Sequence, residues 1–179
     1  MKISDTDNEQ YGLWFAVKRS IRYHERRQGF FLLMHQITSG LTILLAGSVL
    51  FDLAKTGDNP WWMNTIAVVS ALLAAWDIVI NYSSKAELHR SLRNRWIEME
   101  ESIVAGDNSP EAWEKHTINR LKIERDEPPI YRALDALCHN EVMVAEGNKK
   151  GATGWFEVCF FQRITSQIFR WQNIAAVES

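Results

Sequence analysis

Two long apolar runs, separated by a short polar connector, dominate the pattern of hydrophobic and polar positions along the chain. The first, residues 29–51, contains no Lys, Arg, Asp or Glu, and the second, residues 61–84, has Asp77 as its one charged residue. A helix of roughly 23 residues at about 1.5 Å per residue is roughly 35 Å long, which is enough to cross the hydrocarbon core of a bilayer. The connector is built from polar and turn-forming residues: Asp52, Lys55, Gly57, Asp58, Asn59 and Pro60. The pattern therefore predicts a helical hairpin that spans a membrane.

The alternative is a hairpin buried at the centre of a soluble helical bundle. A bundle helix normally presents a polar face every three or four residues, whereas residues 42–50 are apolar or small on all sides. Trp61 and Trp62 open the second run and Tyr82 lies near its end, where aromatic anchors at a membrane interface are typical. The mean hydropathy of −0.22 is set by the flanks, because nearly all charge lies before residue 29 or after residue 84. These observations favour the membrane hairpin.

Basic residues on both flanks predict its orientation. They are Lys18, Arg19, Arg22, Arg26 and Arg27 before the first run, and Lys85, Arg90, Arg93 and Arg95 after the second. The connector has Lys55 against Asp52 and Asp58. Because cytoplasmic loops are enriched in Lys and Arg, we expect both termini in the cytoplasm and the connector outside. The first ten residues are polar and net acidic, so no cleavable signal peptide is expected.

The regions beside the hairpin read as helices. An N-terminal helix over residues 11–27 has Trp14, Val17 and Ile21 on one stripe, and this stripe either lies on the membrane surface or packs on a cytosolic bundle. After residue 84 the helical spacing of apolar positions continues to Ile103, which predicts an amphipathic extension of the second membrane helix. We therefore divide the first part of the chain into a cytosolic or interfacial helix (1–27), the hairpin (28–84) and a cytosolic helical region (85–147).

Caps and breakers divide the rest of the cytosolic region. Ser109 and Pro110 form an N-cap and first-turn pair, the Pro128–Pro129 pair breaks the helix that follows, and Gly147 terminates the next one. Residues 148–154 form a linker by composition, and residues 155–179 read as a C-terminal amphipathic helix. The predicted oligomer or partner surface on this last helix consists of Trp155, Phe156, Phe160, Ile164, Ile168 and Trp171. With no credible strand, the predicted fold is all-α: a two-helix transmembrane hairpin with a cytosolic helical bundle.

Length and charge narrow the class of protein further. With some 55 residues in the membrane, a chain of 179 residues leaves enough for one compact cytosolic unit. A formal charge of −2 excludes a strongly basic nucleic-acid binder, so no nucleic-acid partner is expected. Both cysteines, Cys138 and Cys159, fall on the predicted cytoplasmic side, where thiols usually stay reduced, and we expect no structural disulfide.

The sequence carries no catalytic signature. It has no Gly-rich phosphate loop, no nucleophile elbow, and no HExxH or CxxC pattern. Cys138 and His139 are adjacent, and neighbouring residues on a helix point about 100° apart, so they are poorly placed as a nucleophile and base. His24, His89 and His116 are predicted to lie among charged surface residues, and they have no companions at metal-ligand spacing. We therefore expect no enzyme activity, no metal and no cofactor.

The polar residues inside the apolar runs are the candidate functional residues. An ionised Asp at depth in a bilayer is unfavourable by roughly 2.5 to 3.5 kcal/mol, so Asp77 requires a partner, a proton or water. His35 and Asp77 lie equally far along the chain from Thr56, near the centre of the connector. In an antiparallel hairpin they are therefore expected at the same depth, where they can pair.

Small and polar residues recur at helical spacing around both. The stripe of the first run contains His35, Ser39 and Thr42, and that of the second contains Ser70, Asp77 and Asn81. One interpretation is that the stripes face each other and hold the hairpin together, because small residues allow close approach and polar ones bond across it. The other is that several hairpins assemble with the stripes lining an aqueous path, with Asp77 and Asn81 near its cytoplasmic mouth. A third interpretation is a proton relay through His35 and Asp77.

Three segments resemble a known family. They are RYHERR before the first run, SKAELHRSLRNRWIEME after the second, and IERDEPPIYRALDALCHNE further on. Together with the two spans and their short loop, this pattern is similar to the SLATT family over residues 21–146. The resemblance implies a bacterial protein of the inner membrane with two transmembrane helices and a helical cytosolic part. Proteins of this family are regarded as pore-forming effectors of conflict systems, often paired with a nucleotide-signal synthetase or sensor and thought to trigger growth arrest or death; related small proteins look frequent in prophage-like regions.

The expected function is therefore a non-enzymatic, pore-forming membrane effector in antiviral or prophage conflict. Two helices cannot enclose a channel, so homo-oligomerisation is implied, in addition to the lipid bilayer and a possible sensor or synthetase partner. The alternative is a prophage-encoded membrane protein that excludes superinfecting phage by binding a partner, without forming a pore. A membrane scaffold with the hairpin as its anchor is a third possibility.

Overall fold

The computed structural model describes residues 8–56, 61–106 and 109–177. These residues form six helices, which are α1 (Asn8–Thr56), α2 (Trp61–Ile80), α3 (Tyr82–Ala105), α4 (Pro110–Asp126), α5 (Arg132–Ala145) and α6 (Phe160–Thr165). Outside the helices, Phe156 and Ala176 form an isolated antiparallel β-bridge. The prediction of an all-α fold is confirmed.

The chain divides into two compact units. One unit contains the residues up to Arg27 together with those from His89 onward, and the other contains residues 28–88. We refer to them as the helical unit and the apolar unit. The apolar unit contains both apolar runs, and α1 contributes residues to both units.

The core of the helical unit explains the stripe on the first part of α1. Trp14 and Val17 are buried against Trp96 and Met99 of α3 and Ile123 of α4. Burying a large apolar side chain contributes about 1.5 to 3 kcal/mol. The N-terminal stripe is therefore packed against α3 and α4.

Helix ends in the helical unit follow local chemistry. Ser109 Oγ accepts a hydrogen bond from the amide of Ala112 at 3.2 Å, and Pro110 is the first residue of α4. α4 ends at Asp126, just before the two prolines, and α5 ends at Ala145. Gly147, at φ 86°, adopts the left-handed conformation that commonly closes a helix. The predictions made for these helix ends are confirmed.

A break at Asn81 separates α2 from α3. Asn81 has φ 53°, in the left-handed region, and its Oδ1 accepts a hydrogen bond from the amide of Ser84 at 3.3 Å. Asn tolerates this conformation better than most residues because its short side chain bonds to the local backbone. The prediction of one continuous helix extending from the second apolar run is wrong at this point, since α3 begins anew at Tyr82.

The C-terminal region corrects a second prediction. Residues 155–179 are not one amphipathic helix, because among the described residues of this region α6 alone is helical. The chain folds back on itself instead: the amide of Val177 donates to the carbonyl of Trp155 at 2.7 Å, and that of Glu157 donates to Ala175 at 3.2 Å. Because these backbone groups form hydrogen bonds between the two ends of the segment, they cannot form the hydrogen bonds of a helix. The last two residues lie outside the described part.

Candidate functional site

The polar residues of the apolar runs meet between α1 and α2. His35 Nδ1 lies 3.1 Å from Asp77 Oδ2, and Thr38 Oγ1 donates to Asp77 Oδ1 at 2.9 Å. His35 Nδ1 also lies 3.3 Å from Asp77 Oδ1, so the ring nitrogen contacts both carboxylate oxygens and the Thr38 hydroxyl contacts one of them. The contact that the equal-depth argument predicts between His35 and Asp77 is present, and we call these three residues the Asp77 cluster.

Thr38 is the member of the Asp77 cluster that the sequence stripes left out. It follows His35 by three positions, which places both side chains on one face of α1. Its hydroxyl also lies within hydrogen-bonding distance of the carbonyls of Met34 and His35, at 3.0 and 3.1 Å. One hydroxyl donates one hydrogen, and a carboxylate is the stronger acceptor when ionised. The i, i+3 spacing from His35 was the signal that could have found it.

A second contact between the two helices involves Ser70 and Thr42. Ser70 is 6% exposed, and its Oγ donates to the backbone carbonyl of Thr42 at 3.2 Å. The hydroxyl of Thr42 donates in turn to the carbonyl of Thr38 at 2.8 Å. Because a serine side chain is short, a bond from it to the facing backbone requires the two helices to approach closely.

Ser39 and Asn81 complete the predicted set and lie differently. Ser39 is half-buried on α1, and Asn81 is exposed at the break between α2 and α3. The side chain of Asn81 caps α3, while its backbone N–H donates to the backbone carbonyl of Asp77 at 2.8 Å. Whether these residues hold a hairpin together or line a path stays a prediction.

The Asp77 cluster is open on one side. The side chain of His35 is 39% exposed and that of Asp77 is 21% exposed. Two helices alone do not cover this pair. It is therefore accessible to whatever surrounds the apolar unit, whether lipid, water or protein.

The helical unit contains a buried polar cluster that the sequence patterns did not predict. His24 and His89 are 1% and 3% exposed, which corrects their reading as surface histidines. Their Nδ1 atoms lie 2.9 Å apart, and His24 Nε2 lies 2.9 Å from Glu127 Oε1. The same carboxylate oxygen accepts a hydrogen bond from Trp96 Nε1 at 2.7 Å. We call these four residues the His24 cluster.

The chemistry of the His24 cluster follows from its burial. An ionised carboxylate can only accept hydrogen bonds, so the proton on His24 belongs on Nε2. Burial, with smaller contributions from His24 and Arg27, lowers the pKa of His89 to about 3, and this ring is neutral at neutral pH. Within the described residues, no group of three His, Cys, Asp or Glu side chains is placed to hold a metal ion.

Helical spacing was the signal that could have found this cluster. His24 follows Val17 by two turns, which continues the buried stripe of α1, and His89 precedes the buried Leu92 by three positions. The surrounding sequence, RYHERR and ELHRSL, is charged and hides both histidines.

The two cysteines have different environments. Cys138 is buried and Cys159 is exposed, and both are free thiols. Burial raises the pKa of Cys138 to about 12, which opposes formation of a nucleophilic thiolate at neutral pH. The sulfur of Cys159 instead accepts the amide of Gln162 at 3.5 Å and caps α6.

The predicted oligomer or partner surface is divided by the fold. Phe160, Ile164 and Ile168 are exposed, whereas Trp155, Phe156 and Trp171 are half-buried. The side chain of Asn140 on α5 bonds to both backbone groups of Phe156, at 2.8 and 2.9 Å, which ties this segment to the helical unit. Phe161 and Phe169, which the prediction omitted, are exposed beside the first three.

Comparison with known proteins adds no relative to this description. No family model, no curated protein and no solved structure matches the chain. The resemblance to the SLATT family therefore stays an expectation that rests on the three sequence segments.

Proposed function

We propose that this chain is an integral protein of the bacterial inner membrane whose hairpins assemble into an oligomeric pore. Opening of the pore would arrest growth or kill the cell in antiviral or prophage conflict, as the resemblance to the SLATT family implies. The proposal assigns no enzyme activity to the chain. The observation that carries it is the open Asp77 cluster, which lies within two apolar runs, residues 29–51 and 61–84, that contain no other Lys, Arg, Asp or Glu.

The membrane location is supported by the length and exposure of the helices. Two helices in the described part of the chain are long and apolar enough to cross a membrane. Only 6% and 11% of their most apolar windows is buried within the chain, whereas a core helix of a soluble protein is mostly buried. Their exposed side chains include Ile43, Leu44, Ile78 and Val79, at 70 to 80%. Lipid is the solvent that suits such a surface.

The oligomeric state is supported by the incomplete cover of the Asp77 cluster. A partly exposed carboxylate facing hydrocarbon is unfavourable, and polar groups in membrane helices normally face other helices or a water-filled cavity. A second copy, or water enclosed by several copies, would cover His35 and Asp77. Several hairpins are needed to enclose a path, so homo-oligomers are part of the proposal.

The cytoplasmic placement of both termini is part of the same proposal and rests on the basic flanks. The helical unit would then receive a signal on the cytoplasmic side, either from a sensor or synthetase partner or through oligomerisation. No nucleic acid is involved in this scheme.

The test combines cells and vesicles. The wild type, Asp77→Asn and the control Glu98→Gln, which changes an exposed carboxylate on α3, are produced in bacteria with a membrane-potential dye. We expect depolarisation with the wild type and the control. In vesicles, Asp77→Asn should alter cation selectivity while the oligomer size in detergent is unchanged.

Two results would contradict the pore. A strictly monomeric protein in detergent excludes a pore of its own making. An intact membrane potential together with blocked phage entry would support the alternative of superinfection exclusion through a bound partner. Loss of folding in Asp77→Asn, without a change in the conductance of the remaining protein, would assign the cluster to holding the hairpin together.

A further inference from the structure

A patch of exposed apolar side chains surrounds α6 in the helical unit. Phe160 is 78% exposed, and the other four members of the patch, Phe161, Ile164, Ile168 and Phe169, are 55 to 61% exposed. Single exposed apolar residues are ordinary, but several large ones within one short segment, here residues 160–169, are typical of an interaction surface. We call these five residues the α6 patch.

Hydrogen bonds connect the segment that carries the α6 patch to Arg27 of α1. Arg27 is 4% exposed, and its Nη1 donates to the carbonyl of Gln167 at 2.7 Å and to Gln167 Oε1 at 3.2 Å. The guanidinium of Arg27 also lies 4.2 Å from the ring centroid of Tyr131. Gln167 directly precedes Ile168 and Phe169. The patch is therefore held in place next to Arg27.

Arg27, whose hydrogen bonds to Gln167 form this tether, lies just before the first apolar run in the sequence. Arg27 is covalently joined to Gln28, and the uncharged apolar run begins with the next residue. In a protein that spans a membrane, arginines directly before an apolar run lie at the level of the lipid headgroups. The tether from Arg27 to Gln167 thus keeps the α6 patch close to that level.

Two cations accompany the patch. Arg163 and Arg170 are exposed within the same segment. Apolar side chains combined with Lys or Arg are typical of elements that lie in the interface of a bilayer containing anionic lipid. Residues 160–170 contain no other charged side chain, so a two-fold contact of the patch with a second copy would offer these arginines no acidic partner from the same segment. Charge therefore favours lipid over a second copy.

We propose that the α6 patch is an interfacial anchor. Its apolar side chains insert into the boundary between headgroups and acyl chains, and Arg163 and Arg170 lie against anionic headgroups. This inference rests on the proposed membrane location, but it is independent of whether the protein forms a pore.

The test uses the full chain in vesicles and a fluorescent probe. A polarity-sensitive fluorophore is attached at Ile168→Cys in a Cys159→Ser background, which preserves a capping side chain for α6. Val104→Cys is the matched control, because Val104 is an apolar residue of the helical unit that is 71% exposed. Lipids with a spin label near the headgroup then quench any probe that lies in the interface.

We expect several-fold stronger quenching at position 168 than at position 104. Quenching at 168 should rise with the content of phosphatidylglycerol, and Arg163→Gln should reduce that rise. Equal and weak quenching at both positions would overturn the inference. A probe at 168 in an apolar environment that spin-labelled lipid does not quench would show that protein covers the patch, and this too would overturn it.

Failure of the membrane proposal itself gives a different result. In that case the chain does not co-purify with vesicles at all, and neither position can be quenched. A second labelled position, Ile164→Cys, guards against a local folding defect at 168, since it samples the same patch from α6.

Discussion

The Nδ1 atoms of His24 and His89 lie 2.9 Å apart in the interior of the helical unit. At this distance the two nitrogens share one hydrogen, because two protonated nitrogens would repel each other. On the other side of the His24 ring, Nε2 contacts Glu127 Oε1, which also accepts a hydrogen bond from Trp96 Nε1. The pair is therefore satisfied in one protonation state and disturbed by the addition of a second proton.

Acidification is expected to destabilise the helical unit through His89. Its pKa is about 3 in the folded chain and about 6.5 when exposed, so below pH 6.5 the unfolded chain binds a proton that the folded chain does not. This contribution to stability is fully present above pH 6.5 and is lost as the pH falls towards 3, by at most about 1.4 kcal/mol per pH unit. Thermal unfolding in detergent between pH 7.5 and 4.5 measures it.

The matched comparison for that measurement is His89→Gln against Glu98→Gln. His89→Gln should be less stable at neutral pH but should lose less stability on acidification than the wild type. Glu98→Gln should retain the wild-type pH dependence. If His89→Gln has the same pH dependence as the wild type, His89 is not the group responsible.

Removal of the Glu127 carboxylate should lower stability through two buried donors. Glu127→Ala leaves His24 Nε2 and Trp96 Nε1 without their acceptor, and an unsatisfied buried donor costs about 1 to 3 kcal/mol. Glu124→Ala is the control, because Glu124 forms an exposed pair with Arg120 and such pairs are worth less than about 1 kcal/mol. Chemical unfolding monitored by helix content distinguishes them, and equal losses in the two variants would refute the role of Glu127.

The left-handed conformation of Asn81 predicts an unusual order of substitutions. Asn81→Gly and Asn81→Ala both remove the cap on Ser84, but only Ala has a Cβ that disfavours φ 53°. We expect Asn81→Ala to be less stable than Asn81→Gly by about 1 to 2 kcal/mol. Inside a regular helix the order would be reversed, since Gly is the poorer helix former. The melting temperatures of the two variants in detergent therefore test for the break.

Thiol labelling should discriminate completely between the two cysteines. Cys159 is exposed, whereas Cys138 is buried and has a pKa near 12. A maleimide at neutral pH should modify Cys159 in the folded protein and Cys138 only after denaturation, as read by mass spectrometry of peptides. Cys159→Ser is the control and should leave the folded chain unlabelled. Rapid modification of Cys138 in the folded protein would contradict the packing of α5.

Several features of the fold could be predicted from the sequence because they depend on the chemistry of a few neighbouring residues. Ser109 with Pro110, and Gly147, mark helix ends by chemistry that operates within a few residues. The contact between His35 and Asp77 follows from equal chain lengths on both sides of a connector. These features need little information about tertiary structure.

The failures share a tertiary cause. The charged neighbours of His24 and His89 suggest a surface, and only the packing of α1 on α3 shows that both rings are buried. The apolar residues after position 155 suggested a long helix, but backbone pairing of residues 155–157 with 175–177 competes with it. Asn81 differs from these two cases: Asn tolerates the left-handed conformation, but it also occurs within helices, so the residue type alone does not locate the break.

The short side chain of Ser70 determines how close α1 and α2 come. Its hydroxyl reaches the backbone of Thr42 directly, so a bulkier residue would act as a spacer between the helices. Asp77 follows two turns later on α2, and its carboxylate reaches Thr38 and His35 only while that gap stays narrow. Ser70 carries no charge, yet the size of its side chain controls the contacts of a charged residue. A bulkier side chain at position 70 would also separate the Asp77 carboxylate from Thr38 and His35.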